Sequence, residues 1–139
     1  MRWKITDRVV KFYEFGYGPL NRLLSGNYGE ERLQNPTDIA PVADMNNYYQ
    51  MSASYDAVGN IKSIIRRGMA PDAGCFIPQE IDRLTLVYDT LSNRLFRVGD
   101  LAPTPYRPYG FKPGASPSAE YVHDNNGNLT FDPHKGLNM

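Results

Sequence analysis

The sequence has a single cysteine, no long apolar run and no excess of charge of either sign. Cys75 alone cannot build a disulfide framework within the 139 residues, and its neighbourhood holds no histidine that would make the thiol reactive. No stretch is apolar enough for a membrane helix, and the opening MRWKITDRVV lacks the apolar region of a signal peptide. We therefore expect no membrane insertion.

Charge is balanced along the chain, with 15 Lys and Arg against 15 Asp and Glu. A protein that binds nucleic acid or an anionic membrane by charge needs a basic excess, so the balance argues against both partners. Arg66 and Arg67 form one local basic pair, which we interpret as solvated surface.

The residues that are abundant are those of turns and strands. Aromatic residues make up 12% of the chain, ten of them Tyr, and there are 12 Gly and 11 Pro. Such a composition is typical of all-β proteins with many turns and not of helical bundles, so we expect an all-β fold.

Four windows repeat one pattern, in which an aromatic ring is followed by a turn and then by an aliphatic residue. The windows are YGPLNRL, YDAVGNI, YDTLSNRL and HDNNGNL, at residues 17–23, 55–61, 88–95 and 123–129. They recur at intervals of roughly 35 residues, which is the spacing of a supersecondary repeat with loops of variable length.

Each window predicts the tip of a β-hairpin. An aspartate at the start of a turn accepts hydrogen bonds from the backbone N–H groups that follow, and a glycine or asparagine then adopts the left-handed conformation. The ring before each turn is expected to pair across the hairpin with the aliphatic residue after it. Between the windows, residues 25–47, 66–82 and 99–118 have no clean period and are predicted to be long irregular loops.

With their flanks, these windows resemble the YD repeats of the Rhs family, the shells of bacterial polymorphic toxins, which are also similar to insecticidal toxin-complex shells and teneurins. The resemblance includes LNRLLSGNYGE, GNIKSIIRRG, IDRLTLVYD and DNNGNLTFDPHKGL, and it extends from Phe12 to Leu137. Together these phrases look like the Rhs-type proteins common in the Bacteroidetes lineage. Two positions depart from the pattern: Gly18 replaces the aspartate of the first window, and His123 replaces the tyrosine of the fourth.

The resemblance implies consecutive antiparallel β-hairpins that form a curved or spiralling sheet, with residues 1–139 as one segment of a longer wall. Such a wall encloses or displays a toxin or effector domain, so the expected partners are neighbouring repeats of a longer chain and an encapsulated toxin domain. The expected location is secreted or at the cell surface, as part of that longer protein. No enzyme activity, metal or cofactor is expected. The residues that carry the repeat motif are structural: Tyr17, Asn21, Arg22, Leu23, Tyr55, Asp56, Gly59, Asn60, Ile61, Tyr88, Asp89, Asn93, Arg94, Leu95, His123, Asp124, Gly127, Asn128 and Leu129.

Three other interpretations compete with the structural one. The turn aspartates could form a catalytic carboxylate set, but turn chemistry alone accounts for each of them. His123 and His134, with nearby carboxylates, could bind a metal, although the spacing matches neither a zinc site nor a calcium loop. The tyrosines could stack on carbohydrate, which makes a glycan- or cell-surface-binding β module the alternative function. The residues named for that role are Tyr48, Tyr49, Tyr106 and Tyr109.

Overall fold

The computed structural model describes residues 2–5, 9–33, 39–42, 48–114 and 120–138, which form mostly antiparallel β-structure. The all-β prediction is confirmed. In the described residues the only helical segments are short 3-10 turns at Pro19–Asn21 and Arg107–Tyr109, and no helix there could span a membrane. The strands are β1 Arg2–Ile5, β2 Val9–Tyr17, β3 Leu23–Leu33, β4 Ile39–Val42, β5 Met51–Tyr55, β6 Ile61–Asp72, β7 Cys75–Tyr88, β8 Leu95–Asp100, β9 Val122–His123, β10 Leu129–Asp132 and β11 Leu137–Asn138.

Eight of the described strands form one sheet: seven follow the order β1-β2-β3-β5-β6-β7-β8, and the eighth, β4, pairs with β3 beside this row. The edge of β3 that faces away from β2 pairs with two strands: Glu30–Leu33 pair with β4, and Ser25 and Gly26 pair with β5. The last three strands form a second small sheet in the order β11-β10-β9. All pairs are antiparallel, so the turns β2-β3, β5-β6 and β7-β8 lie at one end of the large sheet and the β6-β7 turn lies at the other.

The four sequence windows lie in the connections β2-β3, β5-β6, β7-β8 and β9-β10. In each connection the ring before the turn is the cross-strand partner of the aliphatic residue after it, as the sequence predicts. In the three large hairpins the register shifts by one residue at the ring, which is the local bulge that bends a strand into its turn. The four pairs are Tyr17 with Leu23, Tyr55 with Ile61, Tyr88 with Leu95, and His123 with Leu129.

Two of the three predicted loops are wrong. Of the predicted loop 25–47, residues 25–33 belong to the eleven-residue strand β3 and residues 39–42 form β4, while 34–38 and 43–47 lie outside the described residues. Residues 66–82 form most of the long hairpin β6-β7. Its turn is Ala73-Gly74, with φ of 48° and 84°, the two left-handed residues of a tight two-residue hairpin. The sequence of this segment does not predict a hairpin, because Pro71 and Pro78 lie within its strands and proline normally marks the end of a strand.

The two prolines are tolerated because they lie where the hairpin extends beyond its neighbours. Strand β5 pairs only with Ile61–Arg66, and β8 pairs only with Leu84–Tyr88. Among the described residues the outer edges of the arm around Pro71 and Pro78 therefore have no strand partner to which an N–H must be donated.

The core is shallow, since the large sheet is covered on one face by a loop and by no helix in the described part of the chain. Among the residues whose burial is described, the buried apolar side chains are Ala70, Leu84, Val98 and Ala102. The loop after β8 folds back over the sheet, where Arg107 Nε donates to the Ala102 carbonyl at 2.7 Å. Of the third predicted loop, 99–118, residues 99 and 100 belong to β8, residues 101–114 are irregular apart from their 3-10 turn, and residues 115–118 lie outside the described part of the chain.

Candidate functional site

The aspartates of the windows close their own turns. The Asp56 carboxylate accepts hydrogen bonds from the backbone N–H of Gly59 at 2.7 Å, from that of Asn60 at 2.8 Å, and from the Asn60 side-chain amide at 2.9 Å. Asp124 accepts the same kind of set from Asn126 and Asn128, between 2.8 and 2.9 Å. These carboxylates are occupied by the turns that they begin.

The same contacts set the acidity of these groups. For Asp56, desolvation acts to raise the pKa, but the hydrogen bonds from Asn60, Gly59 and Val58 outweigh it and hold the pKa below the usual 3.8. For Asp89, the backbone N–H groups of Leu91 and Ser92 lower the pKa, and for Asp124 the side chain and backbone of Asn128 do so. All three turns therefore favour the ionised carboxylate.

The left-handed positions of three turns are those that the sequence predicts. Gly59, Asn93 and Gly127 have φ of 109°, 55° and 91°. The first turn differs: both Leu20 and Asn21 are left-handed, with φ of 66° and 54°, whereas one such residue was expected. Without an aspartate to cap it, this turn closes through Pro19 and the Gly18 N–H, which donates to the Arg22 carbonyl at 2.9 Å.

Consecutive tips are joined by arginine. Arg22 of the first turn donates from Nη1 to the Asp56 carbonyl of the second turn at 3.0 Å, and Arg94 of the third turn donates to the Asp124 carbonyl of the fourth at 2.9 Å. Each guanidinium rests on the glycine of the turn it contacts. A Cβ at Gly59 would lie 3.2 Å from Arg22 Nη2, and one at Gly127 would lie 3.3 Å from Arg94 Nη2.

The second and third tips are joined by amides, because the second window has Asn60 where the first and third have arginine. Asn60 Nδ2 donates to Asn93 Oδ1 at 3.1 Å. All four tips are thus linked by side-chain contacts. We call this row of contacts, Arg22 to Asp56, Asn60 to Asn93 and Arg94 to Asp124, the turn ladder.

The window tyrosines add a second set of links to the turn ladder. Tyr55 donates from its hydroxyl to the Leu23 carbonyl of the preceding hairpin at 2.8 Å. Desolvation by burial and the charge of Asp56 raise the pKa of the Tyr88 hydroxyl, and a hydrogen bond with the backbone of Ile61 acts to lower it. His123 lacks the hydroxyl, and lies instead with Leu95 in a groove of about 300 Å³.

A larger groove of about 520 Å³ lies on one face of the large sheet, away from the tips. Its aromatic lining comes from Tyr13, Phe15, Tyr49 and Tyr109. Tyr13 and Phe15 stack with their centroids 5.8 Å apart and their planes at 6°, and Tyr28 packs edge-on between Tyr13 and Tyr49 at 5.5 and 5.4 Å. We call this feature the aromatic groove. Of the tyrosines named from sequence for stacking, it brings Tyr49 and Tyr109 together and does not include Tyr48 or Tyr106.

One rim of the aromatic groove is fixed by a fully buried carboxylate. Asp82, with 0% exposure, pairs with Arg66 Nε and accepts a hydrogen bond from the Phe111 backbone N–H, both at 2.5 Å. A Cβ at Gly110 would lie 2.2 Å from Asp82 Oδ1, so only glycine lets the loop approach this closely. Asp82 thereby holds both Arg66 and the segment that carries Tyr109.

Arg67 is not solvated surface, contrary to the sequence interpretation. Its side chain is half-buried and lines the aromatic groove. Arg67 Nη2 donates to the Pro78 carbonyl at 3.1 Å, while Nε is buried without a hydrogen-bond acceptor. The sequence carried no signal for this, because the bulge at Arg66 and Arg67 that turns the side chain inward is a property of the register.

His134 and Cys75, considered from sequence as a metal ligand and a reactive thiol, lie outside the aromatic groove. His134 packs edge-on against Phe111 and Tyr121, and its Nδ1 lies 2.8 Å from the Pro113 carbonyl. Cys75 is exposed beside the Ala73-Gly74 turn. Among the described residues, no group of three or more His, Cys, Asp or Glu side chains is arranged to hold a metal ion.

Comparison with known proteins gives no further guide to the identity of the chain: no family model, curated protein or solved structure matches it.

Proposed function

We propose that the chain is a non-enzymatic structural segment of a β-repeat wall, of the YD-repeat type that its sequence resembles, which encloses or displays a toxin or effector domain. The observation that carries this proposal is the turn ladder. Arg22 and Arg94 contact the next tip through the same atoms at 3.0 and 2.9 Å, so the joint between one hairpin and the next is itself repeated. A repeated joint is how quasi-one-dimensional proteins extend.

The edge of the large sheet supports the same proposal. Strand β1 pairs with β2 only as far as Phe12, and no described strand pairs with the outer edge of residues 14–17. An exposed edge of this length is a template for another strand. In a longer wall, the second strand of a preceding hairpin would occupy it, as β3 occupies the edge of β5.

Size-exclusion chromatography with light scattering, together with far-UV circular dichroism, tests the wall. We expect a β-rich chain that self-associates as its concentration rises. Tyr17→Lys places a charge at the open edge, where Tyr17 is 61% exposed, and should reduce association. Leu91→Lys, at a tip residue that is 97% exposed, is the matched control and should leave association unchanged. A compact β-rich monomer at every concentration would overturn the wall proposal.

The aromatic groove favours a second candidate function, a glycan- or cell-surface-binding β module. Phe15, Tyr49 and Tyr109 are 43%, 46% and 45% exposed, and so present ring surface to a ligand. Aromatic faces with a few polar groups are typical of small-ligand sites, and the volume lies in their usual range. A glycan array with wild type and Tyr109→Ala tests this function, and loss of every signal in the variant is the expected result.

A further inference from the structure

The aromatic groove has a charge asymmetry that selects among its ligands. Its described lining contains two arginines, Arg66 and Arg67, and no carboxylate. Since the chain as a whole has no net charge, this asymmetry is local to the groove.

The two arginines differ in how their charge is compensated. Arg66 is paired with the buried Asp82 carboxylate at 2.5 Å. Arg67 has only the Pro78 carbonyl, with its Nε buried and without an acceptor, and no carboxylate of the described residues forms an ion pair with it. Glu80, the cross-strand partner of Arg67, is instead hydrogen-bonded to Arg83. A partly desolvated cation without an ion pair is unfavourable, and an anion bound beside it offsets that cost.

The rest of the lining fits a sugar. The exposed faces of Tyr49 and Tyr109 offer flat apolar surface, while Gln50, whose Nε2 donates one hydrogen bond to Asn27, offers its amide oxygen and its second N–H to hydroxyl groups. One uncompensated cation matches one carboxylate better than the doubly charged phosphate monoesters that arginine clusters bind.

We infer that the aromatic groove binds an acidic sugar, with the carboxylate beside Arg67 and the ring on Tyr49 and Tyr109. This inference rests on the second proposed function and names its ligand class. It is independent of the wall proposal.

The test is isothermal titration calorimetry with two matched pairs of ligands: oligogalacturonate against its methyl ester, and sialyllactose against lactose. We expect at least one acid to bind about tenfold more tightly than its neutral counterpart. In Arg67→Gln the preference should disappear, and in Tyr109→Ala both members of the pair should weaken. Arg97→Gln and Tyr17→Ala, which change exposed residues outside the groove lining, are the controls, with circular dichroism to verify the fold of each variant.

The outcomes distinguish glycan binding by the aromatic groove from a preference for acidic sugars. Equal binding of acid and neutral ligand, or a preference that survives in folded Arg67→Gln, would overturn the acidic-sugar inference and leave glycan binding intact. Binding of neither pair by the folded wild type, together with a blank glycan array, would overturn both.

Discussion

Arg22 Nη1 lies 3.0 Å from the backbone carbonyl oxygen of Asp56, thirty-four residues along the chain, and donates a hydrogen bond to it. The guanidinium also lies over the Tyr55 ring, 5.7 Å from its centroid. One side chain therefore contacts both the ring and the turn of the next hairpin. The bond from Arg94 to Asp124 repeats the first of these contacts at the other end of the turn ladder.

Removal of either arginine should loosen the tips. For Arg22→Met and Arg94→Met we expect the free energy of unfolding to fall by about 1 kcal/mol each, because a charge-assisted hydrogen bond is lost while most of the side-chain packing is kept. Urea denaturation measures the change, and Arg97→Met is the control, since Arg97 is exposed. Equal stability of all four proteins would show that the turn ladder does not contribute to folding.

The glycines beneath the guanidinium groups should be harder to replace than a glycine of similar φ elsewhere. Gly59→Ala and Gly127→Ala place a Cβ within 3.2 and 3.3 Å of an arginine nitrogen, whereas a Cβ at Gly74, with φ of 84°, meets nothing within 4 Å. All three substitutions lose about 1 kcal/mol because alanine disfavours the left-handed conformation. Any further loss in Gly59→Ala therefore measures the clash between the new Cβ and the Arg22 guanidinium. Combining Gly59→Ala with Arg22→Met should remove that excess, and strict additivity in this double-mutant cycle would contradict the idea.

The tips could be predicted from sequence and the joints between them could not. The chemistry of a turn is local: Asp56 and Gly59 lie three residues apart, and their roles follow from that spacing. The contact from Arg22 to Asp56 depends on β3 lying beside β5, which is a property of the sheet order.

The same limit applies to the aromatic groove. Tyr49 and Tyr109 stand out as exposed rings, but Tyr13, Phe15 and Arg67 join them only through strand order and a bulge. The β6-β7 hairpin around Ala73-Gly74 could not be predicted, because Pro71 and Pro78 are typical of loops. In the structure both prolines are tolerated within strands, because no described strand pairs with the outer edges of the hairpin there.

Acid should weaken the turns. Because the folded-state pKa values of Asp56, Asp89 and Asp124 lie below 3.8, these carboxylates stabilise the fold above that pH, and the contribution is lost as the pH falls through the folded values. We expect the Tm of the wild type to decline between about pH 4 and about pH 2. Asp124→Asn should have a lower Tm at neutral pH and a shallower decline. Parallel curves for the two proteins would contradict the assignment.

The buried carboxylate of Asp82 should be the most sensitive single position on the aromatic groove. Asp82→Ala leaves Arg66 and the Phe111 N–H without their partner, and we expect a loss of about 3–5 kcal/mol in the free energy of unfolding. Glu80→Ala removes a carboxylate only two residues away, whose partner Arg83 is exposed, and should have little effect. Comparable losses in the two variants would show that burial of Asp82 is unimportant.

A substitution in the fourth window should increase the stability of the fold. Ser25 pairs with Ser52, and Ser63 with Thr85, so Tyr55 and Tyr88 each lie one residue beyond the partner position of the preceding aliphatic residue, Leu23 or Ile61. The Tyr55 hydroxyl donates to the Leu23 carbonyl at 2.8 Å.

His123 occupies the equivalent position, because the Tyr121 N–H donates to the Phe96 carbonyl at 2.9 Å and this sets the same offset from Leu95. His123→Tyr should therefore donate a hydrogen bond to the Leu95 carbonyl and raise the free energy of unfolding by about 0.5–1.5 kcal/mol. His123→Phe supplies the ring without the hydroxyl and is the control. If the two variants are equally stable in urea, the tyrosine hydroxyl does not link the third hairpin to the fourth.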